Sequence, residues 1–394
     1  MTLLVVSTWW PYPCVNGATL RAYHLLCALA SRHRVHLVAF GAPAVPSAHD
    51  VAHLETFCQS VTVIPRSPFA PVDGARASRW STTPYSLAVT HDAAVSTTVE
   101  APARNVDLAV GFQLSAARYL AGLSIPVIFE EAEPGQIRSL THRARSWPQR
   151  LRVSLTWWKQ ARYLRRLIER MAAVTVVSEE EALLLRSAGV EAGRIHLVPN
   201  GASSADLARP RIVASPPRVI YPGAITYAPN LEAVVWYMSH VMPRVRAVRP
   251  EVEFWVTGDT GSLPIERLPH AEWVRFTGRL PDVRDAVGGS AATVIPLHSG
   301  GGTRVKALES LALGTPVVST SKGVEGLELI DGEDVLIADR PEAFAEAVLR
   351  VLGDERLAAR LSAAGRTRIA SSYTWEASGA RLLSVVAAAS GGRT

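Results

Sequence analysis

The sequence predicts an α/β protein made of two doubly wound, Rossmann-like domains, and three observations carry that prediction. Short apolar runs recur along the whole chain, among them TLLVVS (2–7), VDLAVGF (106–112), RVIYPG (218–223) and PVVST (316–320). Each is bounded by turn residues and alternates with helical spacing, the pattern of parallel strands buried on both faces. The alternation starts afresh near residue 218, beyond a Pro-Asn-Gly turn at Pro199. Finally, 394 residues are too many for one ordinary core and suit two domains of this size.

Composition narrows the class. An apolar fraction of 48% with 19% charged residues is that of a globular chain, not a disordered one. No uncharged apolar run reaches the ~18 residues that a spanning helix needs, and MTLLVVSTWWPYP lacks the basic flank of a signal peptide, so a cytoplasmic protein is expected. Cys14, Cys27 and Cys58 have no metal-ligand spacing and read as reduced thiols. A net charge of +6 suits an anionic partner without naming one. No recognised nucleic-acid fold accompanies it, so no nucleic acid is expected.

In chain order, strand 2–8 runs through the turn WWPYPCVNGATLR into a helix and then into the strand RVHLVAFG, the opening of a doubly wound domain. Gly17 is the one suitably placed glycine in that turn, so a dinucleotide fingerprint is absent. Arg21 and Tyr23 read as structural or surface residues, and His24 is a candidate acceptor contact. Further strands are SVTVIPR (60–66), VDLAVGF and PVIFEEAE (126–133); the last ends in Glu130, Glu131 and Glu133, which suit either a ligand or solvent. Residues 138–170 are dense in arginine and hold Trp147, Trp157 and Trp158. Two readings fit them: a helix at an anionic membrane surface, or a helix packing its apolar face on the domain. AAVTVVSEEEALLL then places Ser178 as a helix cap with Glu179 in the first turn.

In the second half, Gly300, Gly301 and Gly302 precede Thr303, and Val305, Leu308, Leu311 and Ala312 recur at helical spacing until Gly314 and Pro316 stop the helix. A glycine loop at a helix start exposes amides that no intrahelical carbonyl uses, so an anion is welcome there. Arg304 and Lys306 add a planar fork and a point charge, and Glu309 could accept from a vicinal diol such as a ribose. A flexible connector with solvated charges and a Lys306–Glu309 surface pair fits the same residues.

Gly302, Arg304, Lys306, Leu308, Glu309, Ala312, Gly314, Pro316, Val317, Val318 and Thr320 resemble the nucleotide-sugar site of GT-B glycosyltransferases, specifically the large retaining family 4, often called group 1. The resemblance implies two Rossmann-like domains facing a cleft: an acceptor-binding domain at 1–198, a nucleotide-sugar-binding domain at 199–372, and a C-terminal helix at 373–394 that crosses back to the first domain. It implies a retaining transferase that moves a sugar from a nucleoside diphosphate sugar to a hydroxyl acceptor, lipid-linked, a cell-envelope glycan or a metabolite, peripheral on the inner membrane face. No cofactor or metal is expected, since no D-x-D box precedes the phosphate site. Arg304 and Lys306 would carry catalysis. Gly17, Gly223, Gly300, Gly301, Gly302, Thr303, Glu309, Gly278 and Glu325 would bind the donor. Three positions depart from the family pattern: Ala224 and Pro229 replace a basic pair that grips the diphosphate, and Gly301 replaces the first of two glutamates. A sugar-nucleotide epimerase of the same fold and a non-catalytic sugar-nucleotide-binding partner remain as alternatives.

Overall fold

A computed structural model describes residues 1–42, 45–76, 82–130, 134, 146–301 and 304–391. Gly302 and Thr303 of the glycine loop, Glu131, Glu133 and the stretch 138–145 therefore lie outside the described residues. The chain divides into two compact units, Met1–Pro199 with Ser378–Thr394, and Asn200–Ala377.

The first unit holds a seven-stranded sheet of β1 (Thr2–Ser7), β2 (Arg34–Phe40), β3 (Ser60–Ile64), β4 (Leu108–Phe112), β5 (Val127–Glu130), β6 (Ala173–Val176) and β7 (Ile195–Leu197). All its pairings are parallel and its order is β3-β2-β1-β4-β5-β6-β7. Because side chains alternate along a strand, Leu4 and Val6 enter one core with Phe40 and Phe129, while Leu3 and Val5 enter another with Leu25 and Leu37. Continuous burial of β1 is the reason its sequence does not alternate polar with apolar.

The second unit repeats the plan with β8 (Arg218–Pro222), β9 (Glu253–Thr257), β10 (Val274–Gly278), β11 (Ala292–Ile295), β12 (Val317–Ser319) and β13 (Leu336–Ile337), ordered β10-β9-β8-β11-β12-β13 and again parallel. In each sheet the strand sequence reverses direction once, between β1 and β4 and between β8 and β11. Such switch points open a crevice at the carboxyl ends of the strands, where open α/β sheets bind ligands.

Helix ends follow local chemistry. Asn16 caps the Gly17–Ala30 helix in a reciprocal box with Thr19, and Ser178 caps the Glu179–Ser187 helix as its sequence predicts. The Trp375–Gly391 helix starts in the second unit, where the backbone of Trp375 bonds to Ala202. Farther along, it buries Leu382, Val385 and Val386 in the Leu3–Val5 core of the first unit. Between Ala228 and Val248 the helix is not uniform: one wider turn, Tyr237–Val241, interrupts it, which periodicity did not reveal.

Candidate functional site

The second unit's switch point gathers most of the residues singled out from sequence. Gly223 follows β8 with φ of +150°, and a Cβ there would lie 3.0 Å from Lys306 Nζ. Gly300 has φ of +95° and lies against Pro229, 3.1 Å from where its own Cβ would be. At both positions a side chain would be strained and would crowd the crevice.

Arg304 is only 6% exposed. Its Nη2 donates to the Gly300 carbonyl at 3.0 Å, Nη1 to Gly301 at 2.8 Å and Nε to Lys322 at 3.1 Å. Spacing alone suggests a fork turned outward to phosphate; the structure turns three of its N–H groups onto main-chain carbonyls, where they brace the glycine loop. Its nearest carboxylate is Glu325, 3.8 Å from Nη2, which is also paired with Lys322. Among the described residues no side chain caps the start of the Val305–Ala312 helix; the Ala307 and Leu308 amides bond to the Arg304 carbonyl, and the Val305 and Lys306 amides are left without a partner there.

Lys306 is held by neutral oxygens. Its Nζ donates to the Tyr221 hydroxyl at 2.7 Å and to Asn230 Oδ1 at 3.0 Å, and lies 4.2 Å from the Tyr221 ring centroid. Tyr221 in turn donates to Asn230 Oδ1, and Asn230 Nδ2 donates to the Ala224 carbonyl. Two donors facing one amide oxygen fix which way Asn230 points. Burial first, then the Arg304 charge, pushes the Lys306 ammonium down to about 7.

Glu309 lies on the same helix, partly buried, and burial with the nearby Asp206 charge pushes its carboxyl up to about 7. Its ionic neighbours also include Arg284 and Lys306. Gly278 ends β10 with φ of +66°, and its carbonyl accepts from Gly258, where an added Cβ would lie 2.8 Å from the Gly223 carbonyl carbon. Gly17 belongs to the other unit, exposed in the first turn of its helix.

The first unit's switch point joins two groups whose pairing sequence reading missed. Arg21 and Glu130, 3% and 2% exposed, form a buried pair through Nε at 2.8 Å and Nη2 at 2.5 Å, and Thr175 Oγ1 lies 3.5 Å from the same oxygen. Glu130 is thus neither solvated nor open. The signal was present: Arg21 precedes Leu25 and Leu29 by one and two helical turns on the buried face. At the end of β4, Gln113 adopts φ 65° and ψ 162°, a region that costs a non-glycine residue about 1–3 kcal/mol. Its Oε1 accepts from Trp9 Nε1 at 2.5 Å, and the Trp9 ring lies 5.2 Å from Phe69. His24 lies half-buried against the Tyr23 ring.

Residues 15–206 match the model of Glycosyltransferase Family 4, and residues 216–354 match that of Glycosyl transferases group 1. The chain thus matches a Glycosyltransferase Family 4 region followed by a Glycosyl transferases group 1 region. Among sequence relatives, the GDP-mannose-dependent monoacylated alpha-(1-6)-phosphatidylinositol monomannoside mannosyltransferase of Corynebacterium glutamicum is 29% identical over 165 residues, 37% of this chain and 41% of its own length. An uncharacterized 44.6 kDa protein in the cps region of Klebsiella pneumoniae is 24% identical over 139 residues, 33% of this chain and 36% of that one. The chain thus spans about two-fifths of the length of each of these relatives. The fold is that of GT-B structures: Anabaena HepE, solved with UDP and glucose, superposes with a TM-score of 0.70 at 14% identity over 98% of this chain and 100% of its own. Sucrose-phosphate synthase of Thermosynechococcus elongatus gives 0.68 at 18% identity, over 98% and 99%.

Proposed function

We propose that this glycosyltransferase moves a sugar from a nucleoside diphosphate sugar to a hydroxyl acceptor, with retention at the anomeric carbon. The observation that carries the reading is Lys306: a cation at a switch point, held by a hydroxyl and an amide oxygen, beside an uncapped helix start. A diphosphate supplies the negative charge that this arrangement lacks. As the sugar departs, charge grows on the leaving diphosphate, and the Lys306 ammonium and the helix amides stabilise it more than they stabilise the bound donor. Arg304 fixes the loop that presents those amides. The leaving phosphate takes the acceptor proton on the same face, and cations of the chain do the work that a metal does elsewhere. Glu309 and Glu325 receive the ribose side of the nucleotide. HepE was solved with UDP and glucose, which fits a donor of this class.

A thermal-shift panel of UDP, GDP, ADP and dTDP sugars tests the donor class, since a ligand that binds only the folded state raises its melting temperature. NMR of the product's anomeric proton then reads retention, and NMR of the donor with protein alone would expose an epimerase. An absolute magnesium requirement for turnover would overturn the metal-free mechanism.

The acceptor, in this reading, is presented at an anionic membrane surface. The Trp147–Ile168 helix buries only Leu164, Leu167 and Ile168, while Trp147, Leu151, Leu155 and Trp158 stay exposed among arginines. No helix among the described residues is long and apolar enough to cross a membrane. Each basic side chain near an anionic surface contributes about 1 kcal/mol, so attachment should be salt-sensitive. Co-sedimentation with anionic liposomes should fall at high salt and in an Arg162→Glu, Arg166→Glu variant; indifference to lipid charge, salt and mutation would make this an ordinary packing helix.

A further inference from the structure

At the first unit's switch point, the loop after β1 is tied to the end of β4. Thr8 bonds to the Phe112 carbonyl through both its amide and its hydroxyl, and Ser7 Oγ donates to the Trp9 carbonyl at 2.6 Å. Trp9 is then pinned through its indole N–H to Gln113 Oε1. An indole N–H can only donate, so the amide oxygen must face it and Nε2 points the other way. Among the described residues that Nε2 donates to nothing. Phe69 completes the surface, 54% exposed and tilted 48° from the Trp9 ring.

We propose that Trp9, Phe69 and Gln113 form the subsite for a sugar ring of the acceptor, so that the acceptor is a glycoside rather than a bare alcohol. This rests on the transferase reading for what happens to the acceptor, though the binding surface stands by itself. A pyranose has an apolar face of axial C–H groups and a rim of hydroxyls. A pinned indole with a neighbouring phenyl ring suits the face, and one amide with unused donors suits a rim hydroxyl. The strained backbone of Gln113 is a second, independent sign. Left-handed backbone at a side-chain-bearing residue persists only where its surroundings impose it, and such residues cluster at ligand sites. Here Gln113 N is held by the Glu130 carbonyl at 2.7 Å, and its own carbonyl accepts from Ala116 and Ala117. The strain aims the side chain at Trp9. Position at the carboxyl ends of β1 and β4, beside the sheet's reversal point, is where a ligand of this unit belongs.

The test uses the full chain. Saturation-transfer NMR with methyl α- and β-pyranosides of glucose, galactose and mannose should mark the axial ring protons of at least one of them. That signal should vanish in Trp9→Ala and weaken in Phe69→Ala, an exposed position where folding is not at risk, while Trp9→Tyr retains it. With the donor that the thermal-shift panel selects, octyl pyranosides should be glycosylated and 1-octanol should not. Trp9→Ala should raise the acceptor KM at least tenfold, with donor KM and acceptor-free donor hydrolysis unchanged. Octanol serving as well as the octyl pyranosides, or ring-proton transfer surviving both alanine variants, would overturn the proposal. If no nucleotide sugar is bound or consumed, the transferase reading fails, and the methyl pyranoside experiment, which needs no donor, still decides the sugar subsite.

Discussion

Both switch points of the molecule bury cationic side chains, and they settle the charge in opposite ways. In the first unit Arg21 is matched by Glu130, oxygen against guanidinium, both almost fully enclosed. In the second, Lys306 is met by a hydroxyl and an amide oxygen, which satisfy its hydrogen bonds and leave its charge standing. An internally cancelled pair holds a sheet end together. A cation satisfied only in geometry has room for an anion, and burial with the Arg304 charge lowers its affinity for the proton. A buried charge therefore points to a ligand only when its partners are neutral.

Breaking the first pair should have the largest effect. Arg21→Ala leaves an unpaired buried carboxylate and should lower unfolding stability by about 3–5 kcal/mol, read by urea denaturation, whereas replacing both partners with methionine should recover much of it. A small loss in Arg21→Ala would erase the contrast between the units.

Lys306→Met should do the reverse. The Tyr221–Asn230 bond survives without the ammonium, so stability should hold while turnover drops by about 10²-fold or more, the scale of losing one preorganised donor to a developing oxyanion. Loss of folding with preserved turnover per folded molecule would place Lys306 with Arg21 as a structural cation.

The pH dependence sharpens the comparison further. Lys306 in the free protein loses its proton as pH rises through about 7, and Glu309 gains one as pH falls through about 7. Donor binding draws on both charged forms, so affinity should peak near neutrality, fall by up to about tenfold per unit on either side, and take up a proton at pH 8. Isothermal calorimetry in buffers of different ionisation enthalpy measures this. Glu309→Gln should remove the acid limb alone, and Lys306→Met the alkaline limb alone.

The smallest expected change concerns backbone. The second unit meets its tight strand ends with glycine, at Gly223 and Gly258, and the first does so with a strained Gln113. Gln113→Gly should release that strain at the cost of glycine's greater unfolded freedom, a net gain of about 1 kcal/mol or less by thermal melt. A marked loss of stability would mean that the Trp9 contact outweighs the strain.

Much of this was legible in the sequence because it is local. Buried strands reveal themselves by continuous apolar runs, and the glycine loop and the Val305–Ala312 helix are set by a spacing of a few residues. What stayed hidden is long-range. Tyr221 and Asn230 reach Lys306 across 85 and 76 positions, and Glu130 meets Arg21 across 109. Asn230 is instructive: it follows Pro229, one of the two positions that lack the family's basic pair, and no local pattern marked it, yet it supplies an oxygen to Lys306. Arg304 shows the limit of motif reading, since spacing can place a guanidinium at a loop without telling which way its fork turns.

The helix that begins at Trp375 also fixes an order of events during synthesis. Every strand of the second unit lies between residues 200 and 377, so that unit has all its own chain in hand as soon as Ala377 leaves the ribosome. The first unit, although made earlier, must wait for Leu382, Val385 and Val386 to fill the trough beside Leu3 and Val5. The half of the molecule that is translated first is therefore completed last, and until then it holds an apolar seam open to whatever chaperone is at hand.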